Sequence, residues 1–203
     1  MNVGSDFEVY LRLGIRHILD PGAADHLLYI AALTIPWGHR QWRSLLWLVT
    51  AFTVGHSLTL ALATFDLVRV PSAAVEVLIP VTILLTSLIT VWRNRTQGPA
   101  VESGDGGRLW PVYAVTAGFG LIHGLGFSGF LRGLLGGEES ILFPLLWFNI
   151  GLELAQLVVV AAVLLGSAAI ADRLVDRRAW RLVVSGATIA LAAQMILQRA
   201  TPS

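Results

Sequence analysis

Four ionisable residues crowd a ten-residue stretch at the head of the first apolar run: His17, Asp20, Asp25 and His26, within GIRHILDPGAADHLLY (14–29). Lipid tolerates such groups when they pair, ligate a cation or face a water-filled cavity. Imidazole and carboxylate together suit zinc, nickel, cobalt and related divalent ions. The chain has no cysteine, so any metal must be held by nitrogen and oxygen. Pro21 removes a backbone donor and biases Asp20 away from helix, and Gly22 opens the turn. The pattern predicts a helix broken at Asp20–Gly22 and restarted near Ala23, as in transporters that hold ions at membrane depth.

Further polar groups interrupt four later apolar segments. His56 lies in FTVGHSLTL with Thr50, Thr53 and Ser57 on nearby helical positions. Glu76 opens the next segment, followed by Pro80, and His123 stands among glycines in GFGLIHGLGFSGF. Asn149, Glu153 and Gln156 recur at i, i+4 and i+7, one face of one helix. Counted from their arginine-rich ends, His26, His56 and His123 lie roughly 15–20 Å into their helices at 1.5 Å per residue. From the opposite end, Asn149 and Glu153 lie roughly 12–18 Å down. Scattered toward lipid, charged groups would each cost about 3 kcal/mol or more. One interior site is the cheaper arrangement. Its candidate metal ligands are His17, Asp20, Asp25, His26, His56, His123 and Glu153, with Ser57, Glu76, Asn149 and Gln156 as supporting polar groups.

The elements that must position these residues are membrane helices. Of 203 residues, 55% are hydrophobic and 13% charged, with mean hydropathy +0.71. Soluble domains carry about 25% charged residues. The reading is one integral membrane domain, residues 1–203, all-α, with a lipid bilayer as its surroundings. Residues 6–36 form the broken first span, and 42–64, 72–92, 110–131, 141–171 and 180–198 the others. That gives six spans, or seven if the N-terminal helix crosses separately. A Gly/Pro/charged linker is expected over 93–108. The basic residues are 14 arginines, with no lysine. They concentrate in the loops after the first, third and fifth spans, which orients both termini outward by the positive-inside rule. MNVGSDFEVY lacks the basic and long apolar regions of a signal peptide, so Met1 is expected to begin the mature chain. A net charge of +1 gives no reason to expect a nucleic-acid partner.

Taken in order, GIRHILDPGAADHLLY, FTVGHSLTL, VEVLIPVTI, LIHGLGFSGF and FNIGLELAQ resemble the HupE/UreJ family of bacterial membrane proteins over nearly the whole chain. That family is associated with hydrogenase and urease gene clusters and described as nickel or cobalt permeases. The resemblance implies a bacterial inner (cytoplasmic) membrane protein linked to nickel-enzyme maturation. It also implies a metal role for His17, Asp25 and His26, and it leaves a homo-oligomer open. His56, His123 and Glu153 match motif positions too. HILDPGAADH spaces His17 and Asp25 further apart than in the short hydrogenase-type members and resembles a distinct subgroup.

Two functions fit. The first is a nickel or cobalt permease. The second is a zinc-dependent intramembrane hydrolase acting on a lipid or lipid-linked substrate, its zinc lowering the pKa of a bound water to about 7. There Asp25 or Glu153 would serve as base. An accessory scaffold, with polar groups that only stabilise the bundle, is the bland alternative. Gly126-Phe127-Ser128-Gly129 has the shape of a rhomboid protease motif, but no histidine follows His123 to act as base.

Overall fold

The chain leaves helix where Asp20-Pro21-Gly22 requires it. Asp20 is extended (φ −67°, ψ 115°), and its carboxylate accepts a hydrogen bond from the Gly22 N–H at 2.9 Å. In this computed structural model, residues 3–96, 106–135, 141–171 and 174–201 are described. They form seven α-helices: α1 (Val3–Leu19), α2 (Asp25–Thr34), α3 (Trp42–Thr64), α4 (Ser72–Thr96), α5 (Gly106–Leu135), α6 (Leu142–Ala171) and α7 (Arg177–Ala200). Short 3-10 turns, Pro21–Ala23 and His39–Gln41, precede α2 and α3. No strand occurs among the described residues. Most of the linker expected over 93–108 lies outside them.

Five helices, α3 to α7, are long and apolar enough to cross a membrane. The six or seven spans expected thus resolve into these five and the shorter pair α1, with 17 residues, and α2, with 10. Ten residues rise only about 15 Å, half a bilayer core.

The most extensively packed helix pairs are α3 with α5, α1 with α6, and α4 with α7. Lipid offers no hydrophobic drive between helices, so close backbone approach and interhelical hydrogen bonds must hold them. Glycines permit that approach. A methyl group at Gly55, Gly120 or Gly124 would collide with the carbonyl of Ala117, Phe52 or His56 across the α3–α5 seam. Gly14 and Gly151 do the same for α1 and α6, against Phe148 and Leu11. Thr59 adds a hydroxyl donated to the Leu121 carbonyl at 2.7 Å. Between α4 and α7, Ser87 and Thr188 share a 2.7 Å hydrogen bond. Pro80 contributes differently. Having no N–H, it leaves the Glu76 carbonyl without its usual partner within α4, and Arg199 Nη1 of α7 donates to that oxygen at 2.8 Å.

Candidate metal centre

Four histidines converge where these seams meet. His17 comes from the last turn of α1, His26 from the first turn of α2, His56 from the middle of α3 and His123 from α5. Ring centroids are 4.6 Å apart for His17–His26, 5.8 Å for His17–His56 and for His26–His56, and 5.1 Å for His26–His123. One nitrogen from each of His17, His26 and His56 lies within 4.8 Å of the others, and this is the only such group of three among the described residues. A divalent ion with bonds of about 2.0–2.1 Å to imidazole would draw them somewhat closer.

The nitrogens are poised for a ligand. Both ring nitrogens of His26 and of His56, with His17 Nε2 and His123 Nδ1, are buried and make no hydrogen bond. Leaving a buried polar atom unsatisfied costs about 1–3 kcal/mol, so six in one place call for a cation or water between them. His123 is oriented from outside the group. Thr82 Oγ1 donates to the Ile79 carbonyl at 2.7 Å and lies 2.9 Å from His123 Nε2. A hydroxyl has one proton, so with it spent on Ile79 the oxygen accepts from Nε2–H. The Nδ1 lone pair is left open, the way an outer partner fixes a ligating imidazole.

Aromatic rings wall the group. Phe127 lies 4.1 Å from His17 and stacks on Phe148 at 5.3 Å. Phe52 and Tyr29 stack at 4.8 Å, and each ring also lies against His123. On one side the wall opens into a chamber of about 660 Å³ that reaches His17, His26 and His123. Asp20, Asp25 and Glu76 line it, together with Arg16 and Arg199.

A family profile described as "HupE / UreJ protein" matches residues 1–199. The chain belongs to the HupE/UreJ family. No curated protein and no solved structure matches it.

In this HupE/UreJ protein the residues singled out in the sequence part into three groups, with Ser57 outside all of them. His17, His26, His56 and His123 meet. Asp20, Asp25 and Glu76 line the chamber beside them: Asp20 is exposed and caps its own turn, Glu76 is exposed, and Asp25 is bound by Arg199 Nη2 at 3.0 and 3.2 Å. Glu153, Gln156 and Asn149 lie outside the chamber, on α6. Glu153 accepts from Thr50 at 2.7 Å and Gln156 from Thr53 at 2.8 Å, forming an α3–α6 polar seam. Such bonds in membranes contribute about 0.6 kcal/mol each. Ser57 donates to its own helix at the Thr53 carbonyl.

Arg199, Thr82 and Phe127 were not singled out in the sequence. The signal for Arg199 was Pro80, which promised an orphan carbonyl at Glu76 but could not say who would satisfy it. Thr82 and Phe127 lie inside the motifs VEVLIPVTI and LIHGLGFSGF, but nothing in those runs says which side chain either would meet.

Outside the helices, the loop after α3 carries its own charge cluster. Asp66 adopts φ 62° and binds Arg69 and, at 3.0 Å, Arg132. The hydrogen bond from Arg69, then the charges of both arginines, hold its carboxyl below the ordinary aspartate range.

Proposed function

We propose that this HupE/UreJ protein is a divalent-cation permease carrying nickel or cobalt as its cargo, and that His17, His26, His56 and His123 form the site through which the ion passes. The observation that carries this reading is the convergence of His17, His26 and His56 to within 4.8 Å beside an open chamber. A cation drawn into the chamber meets Asp20 and Glu76 first. It then exchanges water for imidazole nitrogens that no protein group competes for. Neutral imidazoles bind such ions without holding them irreversibly, as passage requires. The resemblance to permeases supplies nickel and cobalt over other ions, and the positive-inside orientation sets the chamber on the outer face.

The hydrolase reading has less support. The two carboxylates named as its base, Asp25 and Glu153, would have to be free to act beside the metal. Asp25 is engaged by Arg199, and Glu153 hydrogen-bonds Thr50, six residues and roughly 9 Å along α3 from His56.

The deciding experiment places purified protein in liposomes loaded with a nickel- and cobalt-sensitive dye. Wild type is expected to admit either ion down its gradient, with His26→Ala and His56→Ala inactive while retaining wild-type melting. Stoichiometric zinc surviving dialysis, with no uptake, would overturn the permease in favour of the hydrolase. Full uptake by both variants would overturn the site.

A further inference from the structure

A second cavity lies across the aromatic wall from the histidines, and its chemistry differs from that of the chamber. It measures about 250 Å³ and is enclosed by α2, α4, α5 and the start of α7. Tyr29 and Phe119, 6.2 Å apart, line the side toward the histidines, and Tyr29 is 5.0 Å from His123. Half of the remaining lining is aliphatic, with Trp37, Thr86, Thr90 and Thr116 beside it, and Ile89, Pro111 and Val115 are exposed on the bundle surface. The cavity therefore opens sideways, toward lipid. Two half-buried guanidiniums line it, Arg93 at the end of α4 and Arg181 in the first turns of α7. Asn94 Nδ2, donating to the Arg178 carbonyl at 3.3 Å, ties together the two helix ends that carry these arginines.

No carboxylate lines this cavity among the described residues. Two fixed positive charges and an apolar surface make it a poor path for a divalent cation, and a good one for an anion carrying a hydrocarbon chain. Pockets that enclose a whole small molecule run to roughly 300–1,000 Å³, so this one grips part of a longer ligand. Guanidinium pairs match phosphate oxygens bidentately, and arginines at the basic face of a membrane protein meet anionic headgroups.

We infer that this cavity is a binding site for an anionic phospholipid, one acyl chain entering between α4 and α5 and the headgroup phosphate held by Arg93 and Arg181. The site does not depend on what the histidines carry. Each arginine at the headgroup is worth roughly fivefold in affinity.

The test is native mass spectrometry of the full chain in detergent, titrated with phosphatidylglycerol and with phosphatidylcholine of the same acyl length. Wild type should retain phosphatidylglycerol at least about tenfold more tightly. Arg93→Gln with Arg181→Gln should erase that preference, whereas Arg95→Gln, which removes a charge outside the cavity, should keep it. Val112→Phe, filling the cavity, should weaken both lipids. Glycerol 3-phosphate should fail to compete. Equal retention of the two lipids, an equal loss in Arg95→Gln, undiminished binding in Val112→Phe, or competition by glycerol 3-phosphate would each overturn the lipid site. The last would leave a simple anion site.

Discussion

The two cavities flanking the histidines are built from the same kinds of helix, yet they carry opposite electrostatics. The larger, about 660 Å³, mixes Asp20, Asp25 and Glu76 with Arg16 and Arg199. The smaller, about 250 Å³, has Arg93 and Arg181. Three carboxylates against two guanidiniums leave the first with a net negative lining; two guanidiniums alone leave the second positive. In a medium of low dielectric that sign decides which solute enters. The histidines between them offer ring nitrogens with no hydrogen-bond partner, able to take a cation offered from the acidic side. Tyr29, Phe52 and Phe119 are the partition.

This contrast can be broken in graded steps. The largest effect is expected at the histidines: His56→Ala should weaken nickel binding, read by calorimetry, by at least about 100-fold, since loss even of an outer partner of a ligand costs 10–100-fold. Next comes the seam that sets His56 against His123. Gly124→Val should clash with the His56 carbonyl and Thr59 and lower unfolding stability by about 1–3 kcal/mol, the usual cost of overpacking. Gly118→Ala, with open space around it, should leave melting unchanged or slightly raised. Thr82→Val removes the acceptor for His123 Nε2 and should cost about tenfold in metal affinity without loss of fold.

Arg199→Gln sharpens the contrast rather than breaking it. It frees Asp25 and makes the larger chamber more negative, so cation affinity should rise severalfold in a titration while melting temperature falls. A fall in affinity would mean that the Asp25–Arg199 pair shapes the site rather than restrains it. The smallest effect belongs to Asp66, which is exposed and lines neither cavity. Its lowered carboxyl pKa means that its contribution is full above the ordinary aspartate range and disappears as pH falls through the lowered value. Asp66→Asn should flatten that acid-side dependence of the melting temperature and barely move the value at pH 7.

The break in the first helix was legible because proline and glycine act locally. Pro21 cannot donate, Asp20 is extended before it, and no distant contact is needed to produce the turn. Membrane helices were legible for a similar reason: a long apolar run has one stable form in lipid. Position along each helix was legible too, since rise per residue is fixed. Three of the four histidines that meet were grouped by that count alone.

What depth does not give is rotation about the helix axis and choice of neighbour. Glu153 shares a slab with His56 in the sequence count, yet it faces Thr50 on the α3–α6 seam and does not line the chamber. Asp25 adjoins His26 in sequence, but successive residues on a helix point about 100° apart. Its carboxylate is met by an arginine 174 positions later. By itself the sequence determined an all-helical membrane protein of the HupE/UreJ family, with a broken first helix and ionisable groups set within its apolar runs. Only the tertiary structure decided which of those groups meet. Glycine seams bring backbones into contact at particular faces, and a periodic apolar pattern does not encode which face finds which partner.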